Sequence, residues 1–408
     1  MVLGVCGGIA AYKACELVRR LRAAGNDVTV VPTPSALQFV GAATWEALSG
    51  HPVSTDVFTD IPSVKHVAVG QQADLVVIAP ATADILARAG SGMADDLLTA
   101  TLLVTRAPVL MAPAMHTEMW THPATLANVA TLRSRGVVVV DPAVGRLTGA
   151  DSGAGRLPDA EHLESLADLL LRNRQALPHD MAGRRMVVSA GGTREPLDPV
   201  RYLGNRSSGR QGYAIALVAR ARGADVTLVS ANVSLPDPPD VTVVGVRDAR
   251  DLHRAMVEHS ADADAVVMAA AVADFRPAHT GPTKIKKVAG REPEALALVQ
   301  NADILVDIAA PGPTRPRIVV GFAAETGDER GSVLDYARDK LARKGCDLLV
   351  VNRVDGGRAF EVADNAGIIL AADGSEPVQI PFGPKTVLAG AVCDAVVAGL
   401  NRAPGHSP

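Results

Sequence analysis

The sequence predicts an α/β protein of two parallel-sheet domains, each Rossmann-like in layout. Three observations carry this. Residues Met1 to Thr33 run strand, glycine turn, helix, strand, and the same order restarts at Met186. Strands that alternate with helices pair in parallel, because each crossover helix returns the chain to the same end of the sheet. Of the 408 residues, 48% are hydrophobic but only 3% are aromatic. Cores of Ala, Val, Leu and Ile suit buried parallel strands covered by helices.

In the first half, Val2–Val5 is the opening strand and Gly7–Gly8 its turn. Ala10 to Ala24 spaces its apolar residues as a helix does, Gly25–Asn26 stops it, and Asp27 to Val31 is the next strand. Ala73 to Ala79 is a buried strand, with shorter ones at Val109 to Ala112 and Val137 to Val140. In the second half, Met186 to Ala190, Tyr213 to Gly223 and Asp225 to Ser230 repeat strand, helix, strand. Asp262 to Ala271, Ile318 to Ala323 and Asp347 to Asn352 supply further strands. The chain is too long for one ordinary core. A helix gives way to the polar piece Arg172 to Gly183, so the expected domains are residues 1–175 and 184–402.

A net charge of −4 gives no electrostatic case for nucleic-acid binding. No apolar run approaches the roughly 20 residues of a membrane span, and Met1 leads straight into a strand rather than a leader. Cys6, Cys15, Cys346 and Cys393 have no metal-ligand spacing and read as reduced thiols. The expected location is the cytoplasm, with small molecules as partners.

Ligands of open α/β sheets bind at the carboxyl ends of strands, so the loops there matter most. The segment Ser189 to Gly212 is rich in Gly, Ser, Asn and Arg. Amides of Gly191, Gly192 and Gly209 can hold phosphate oxygens, and Arg194, Arg201, Arg206 and Arg210 can neutralise them. That points to a nucleotide and an anionic substrate in one site. The first-half turn, GVCGG, is not G-x-G-x-x-G, and Pro32–Thr33–Pro34–Ser35 stands where a dinucleotide site wants an acid. This disfavours an NAD(P) oxidoreductase. It favours a mononucleotide whose phosphate meets Gly7 and Gly8 amides and the Ser35 or Thr33 hydroxyl.

Four first-half segments stand out: GGIAAYK, VKHVAVG around His66, PATADILARAGSGMADDLL from Pro80, and PAMHTEMW from Pro113 to Trp120. Together they resemble the FMN-dependent cysteine decarboxylases over residues 1–160. The resemblance implies a flavodoxin-like flavoprotein domain that holds FMN near Gly7, Gly8, Ser35, Pro80, Thr82 and Met115. It makes His66 the base or orienter of an oxidation, and places substrate at His116 and Asp151. Loss of CO₂ from a cysteinyl carboxylate would leave an unstabilised carbanion. Oxidation of the thiol to a thioaldehyde first creates an electron sink, and the cofactor takes and returns the hydride. Two positions depart from the family. His116 replaces an Asn that binds the substrate carboxylate, and His can still donate a hydrogen bond. Gly149 replaces a flap Cys that donates a proton, which leaves that step to Asp151 or water.

In the second half, AGGTREPLDPVRYLGNRSSGRQGYA, AAAVADF, KIKK, GFAAET and YARDKLARKGCDLLVVN resemble the phosphopantothenate–cysteine ligases over residues 184–400. Joining a carboxylate to an amine is uphill in water, so the acid must be activated as an acyl-nucleotide. Mg²⁺ and a cluster of Lys and Arg must then offset the gathered negative charge. The resemblance implies that Asn205 and Arg201 bind the acyl-cytidylate and that Lys284 acts when cysteine attacks. It also implies that Asp274 contacts the nucleotide or its Mg²⁺, and that Phe322, Lys340 and Lys344 hold the nucleotide. It selects CTP; the residues alone do not. The two halves imply CTP-driven ligation of 4′-phosphopantothenate to L-cysteine, then FMN-dependent decarboxylation to 4′-phosphopantetheine. They also imply a homo-oligomer, with trimers through the flavin half and dimers through the ligase half combining into a dodecamer. The alternative is a working ligase whose first half binds flavin but is catalytically altered.

Overall fold

The opening strand, Val2–Val5, is buried along its whole length because strands pair on both sides of it. The computed structural model describes residues 1–55, 65–147, 151–286, 295–325, 332–353 and 364–402, and of 65–67, 324, 325, 353 and 364 the backbone alone. The chain divides into two units, Met1–His179 and Asp180–Pro408.

The first unit holds a parallel sheet ordered Thr29–Pro32, Val2–Val5, Val76–Ala81, Val109–Pro113, Val138–Val139. In chain order this is 2-1-3-4-5, the flavodoxin-like sequence, with its switch point between the first and third strands. Helix Ala11–Ala23 buries Ala11, Ala14, Leu17, Val18 and Leu21, the one-sided spacing of a helix laid on a sheet. Gly4 lets the sheet be covered closely: a side chain there would meet Ile78 and Leu98 at 2.5 Å. The strand read at Ala73 starts later, at Val76, because Asp74 is exposed and follows the end of helix Lys65–Gln72.

The second unit's sheet runs Thr242–Val246, Asp225–Ala231, Arg185–Gly191, Ala265–Met268, Ile318–Glu325, Leu348–Arg353, Asp364–Ala371, Val378–Pro384. Its first six strands are parallel, as expected. Two antiparallel strands then extend it at one edge. Their connection is a turn at Asp373–Gly374, where Gly374 has φ 79° and the Ser375 amide donates to Asp373. So short a link permits only antiparallel pairing. The edge strand carries Pro381 and Pro384, and its register shifts between Asn365 and Gly367.

The Ser189 to Gly212 segment is not one irregular loop. Arg194–Pro196 and Tyr202–Gly204 form a small hairpin inside it, and helix Arg210–Ala221 begins before the expected Tyr213. Helix Lys385–Arg402 packs on Arg210–Ala221, with Leu388, Val392, Val396 and Leu400 buried. Beneath them lies Arg222, 1% exposed, whose guanidinium pairs with Asp180 at 2.7 Å and Asp394 at 2.6 Å.

Candidate functional site

At the first unit's switch point the Gly7–Gly8 turn faces the start of helix Ala83–Ser91. Gly7 packs on Ser35: a side chain at Gly7 would sit 2.4 Å from Ser35 Cβ. Beside Gly8 no atom lies within 4 Å of where a side chain would begin. Thr82 caps the facing helix, its hydroxyl accepting from the Ile85 amide at 3.4 Å. Arg88 gathers Asp84, Asp95 and Asp96, and Asp96 caps helix Leu97–Val104, which accounts for the GMADDLL run. Cys6 lies behind the turn, where burial pushes its thiol up to about 12 and removes it from nucleophilic chemistry.

These elements open on a cavity of ≈ 650 Å³. Gly7, Gly8, Thr82, Met115 and His116 all line it. Ser35 stands behind Gly7, and Pro80 is buried within its strand, so neither forms the wall. Asp151 is not in the wall either; it is exposed, and its carbonyl accepts from the Leu147 amide at 2.7 Å. His66 falls in helix Lys65–Gln72, with its side chain outside the described residues, as is Gly149.

A hairpin, Ala143–Arg146 with Ser152–Arg156, lies on the Met115–Thr117 loop. The Met115 amide donates to the Gly155 carbonyl at 3.0 Å. A side chain at Gly155 would stand 2.1 Å from the Met115 carbonyl, and one at Gly153 would stand 2.4 Å from Thr117 Oγ1. The wall also holds three cations missed in the sequence reading, Lys13, Arg146 and Arg156. Burial and the neighbouring Arg156 charge hold the Lys13 ammonium below its ordinary pKa. The signal was present: Lys13 closes GGIAAYK, and Arg156 ends TGADSGAGR, the segment that carries Gly149 and Asp151.

In the second unit, the loops after strands Arg185–Gly191 and Ala265–Met268 are stitched together. Gly192 bridges Ala271, and the buried Thr193 hydroxyl accepts from the Ala273 amide at 3.0 Å. Gly191 (φ 87°) must be glycine, since a side chain would meet the Ala231 carbonyl at 2.0 Å. Asn205 donates to the Val272 carbonyl at 3.0 Å. From the other side Asn301 donates to the Ala273 carbonyl at 2.8 Å, and its amide donates to the Asp274 carbonyl. Asp274 is thus clamped through its backbone while its side chain is exposed.

The expected cations are less free than the sequence implied. Arg201 donates through Nε and Nη2 to Asp198, and through Nη2 to the Ile285 carbonyl at 2.8 Å, which holds the Lys284 loop. Those bonds, foremost from Arg201, hold the Asp198 carboxyl well below the usual range. Arg194 stacks on Tyr202, 4.8 Å from the ring centre. Lys344 is paired with Asp303, the cap of helix Ile304–Ala309. Lys340 stands one turn earlier on helix Val333–Lys344, half-buried, and Phe322 lies half-buried in the strand before it. Lys284 is exposed. Among the described residues no three His, Cys, Asp or Glu side chains converge as a metal cage, and no helix is long and apolar enough to cross a membrane.

Comparison with known proteins defines the class first. Residues 1–171 match the flavoprotein family, and residues 181–400 match the C-terminal domain of the DNA/pantothenate metabolism flavoproteins. The chain is 62% identical to a coenzyme A biosynthesis bifunctional protein CoaBC of Mycolicibacterium smegmatis, over 99% of both chains. It is 61% identical to the CoaBC of Mycobacterium tuberculosis, over 98% of this chain and 96% of that one. A crystal structure of a CoaBC C-terminal domain is 33% identical over 55% of this chain and 98% of that one, with a TM-score of 0.46. The chain belongs to the CoaBC family, bifunctional enzymes of coenzyme A biosynthesis with a flavoprotein decarboxylase domain and a ligase domain.

Proposed function

We propose that the first unit uses FMN to decarboxylate 4′-phosphopantothenoylcysteine, and that the second uses CTP and Mg²⁺ to join 4′-phosphopantothenate to L-cysteine. The observation that carries the first assignment is the meeting of Gly7, Gly8, Thr82, Met115 and His116 around one cavity at the switch point. The cradle fits a flavin. Bare backbone at Gly8 suits a phosphate, and Met115, Met119, Leu147 and Leu157 give an apolar bed for a ring. A bound FMN supplies the hydride acceptor that thiol oxidation requires. His116 hydrogen-bonds the substrate carboxylate and His66 orients the thiol or takes its proton. Asp151 or water returns the last proton, the role left open by Gly149. Ile9, Tyr12 and Met119, 69%, 59% and 48% exposed, leave an apolar cavity mouth that a neighbouring subunit of the homo-oligomer covers.

In the second unit the array supports acyl transfer through a cytidylate. Asn205 is pinned at the loop junction where the acyl-phosphate forms. Arg201 is a fixed charge whose Nη1 is the nitrogen not spent on Asp198 or Ile285. Lys284 sits on the loop that Arg201 holds and serves the attack of cysteine. With no acidic cage among the described residues, the exposed Asp274 fits an Mg²⁺ brought in by the triphosphate. Phe322 and Lys340 contact the nucleotide, and Lys344 reaches it together with Asp303. All four cysteines are free, which suits work in the cytoplasm.

Mass analysis of products formed from 4′-phosphopantothenate, cysteine, CTP and Mg²⁺ tests both halves. The expected set is 4′-phosphopantetheine, CO₂, CMP and pyrophosphate. Accumulated 4′-phosphopantothenoylcysteine would reject the decarboxylase assignment. No pyrophosphate from CTP would reject the ligase.

A further inference from the structure

We propose that Lys13 and Arg156 form a clamp for a phosphomonoester dianion in the first unit's cavity, and that the dianion is the terminal phosphate of the decarboxylase substrate. This rests on the decarboxylase reading above. Both side chains line the cavity shared with the Gly7–Gly8 turn and His116. Each is half-buried, and among the described residues neither makes an ion pair. Two cations brought together in a half-buried wall repel, and an anion between them relieves that cost. The Asp159 carboxylate relieves Lys13 only in part, and the ammonium stays perturbed by burial and by Arg156.

The two groups are built in differently. Lys13 is in the first turn of helix Ala11–Ala23, which holds no acid and whose Ala10 cap makes no side-chain bond. The helix end therefore adds to the positive potential. Arg156 ends the flap hairpin and its side chain lies over Gly145 on the paired strand: a side chain at Gly145 would lie 2.8 Å from Nη1 and 3.1 Å from Cδ. A planar guanidinium suits two phosphate oxygens at once, and an ammonium suits a third. Lys13 and Arg156 offer a dianion one charge each, and Arg146 stands in the same wall, so the cavity holds more positive charge than a single carboxylate would offset. Because one cation is on the sheet-packed helix and the other on the flap, a phosphate bound to both ties the hairpin down. The clamp thereby sets specificity for phosphorylated conjugates. The same chemistry would suit the flavin's own phosphate, and the test separates the two.

Full-length, FMN-loaded enzyme is compared with Lys13→Gln and Arg156→Gln variants, with Lys13→Arg as the charge-retaining control. The readouts are kcat/KM for 4′-phosphopantothenoylcysteine and for pantothenoylcysteine, flavin bound per chain, and the flavin difference spectrum on titration with 4′-phosphopantetheine or pantetheine. We expect the preference for the phosphorylated substrate to fall at least tenfold in both Gln variants, with flavin content unchanged and Lys13→Arg retaining most of it. Loss of flavin with the preference intact would give the clamp to the cofactor and overturn the substrate assignment. Unchanged preference and unchanged flavin would overturn the clamp itself. If the wild type turns over neither conjugate, the decarboxylase reading fails separately. The spectral titration still decides the clamp, since equal affinity for 4′-phosphopantetheine and pantetheine in the wild type would refute it.

Discussion

Replacing Gly155 with Ala asks whether the hairpin must lie on the Met115 loop for decarboxylation. The added methyl would stand 2.1 Å from the Met115 carbonyl oxygen, far inside the 3.4 Å at which ordinary contact begins. The obstacle is backbone, so no rotamer change relieves it, and the hairpin must lift. Lifting breaks the 3.0 Å bond from the Met115 amide to the Gly155 carbonyl. That bond contributes about 1 kcal/mol, and overpacking of this kind costs roughly 1–3 kcal/mol. The docked flap is then disfavoured by about 2–4 kcal/mol, which corresponds to a roughly 30- to 1,000-fold fall in decarboxylation rate. The assay is CO₂ release by flavin-loaded enzyme, with flavin per chain measured alongside. Pyrophosphate release by the ligase unit of the same chain serves as internal control and should not change. Decarboxylation within threefold of wild type would refute the reasoning.

Three further outcomes follow from the second unit. Thr193→Val removes the acceptor for the Ala273 amide and should raise the KM for CTP by about tenfold through an unmet buried donor costing roughly 1–3 kcal/mol; Thr193→Ser should restore it, and an unchanged KM in the Val variant counts against the clamp on Asp274. Arg222→Ala empties a fully buried site and removes its bonds to Asp180 and Asp394, which stay in contact with water, and the void and lost bonds should cost about 3 kcal/mol. Calorimetry should then show the second unit's melting fall by roughly 6–12 °C, and a shift under 2 °C would contradict the burial argument. Asp198 is held below its ordinary 3.8 by Arg201, so the unfolded chain takes up the proton first as pH drops. Its stabilisation is whole at neutral pH, fades below about pH 4 and disappears once the folded carboxyl protonates. The urea-midpoint gap between wild type and Asp198→Asn should therefore narrow from pH 7 to pH 3, and a constant gap would rule out the carboxylate as its source.

The parallel frames were legible because apolar runs and glycine stops are local signals. Val2–Val5 and the helix after Gly7–Gly8 needed no distant partner to be read. The antiparallel edge went unread although Asp364–Ala371 is apolar enough, since the layout of alternating helices offered no place for it. The cavity wall was half legible. Gly7, Gly8, Thr82, Met115 and His116 sit in motifs that announce a loop at a strand's end. Lys13 and Arg156 are far apart in sequence, and only folding shows that they share a wall. The same limit hid the partners of Arg201 and Lys344. A sequence shows that a residue is charged, but whether a carboxylate already holds that charge depends on turns such as Asp198–Arg201 and on long-range contacts such as Asp303–Lys344.

The last strand of the large sheet, Val378–Pro384, has one side with no neighbour among the described residues. Two of its seven residues, Pro381 and Pro384, cannot donate an amide to an incoming strand, and the register slip beside it bends the template. A sheet with exposed Val378 and Phe382 on its rim would otherwise invite endless stacking of copies. Swapping both prolines for threonine would leave catalysis intact and remove the guard against fibre growth.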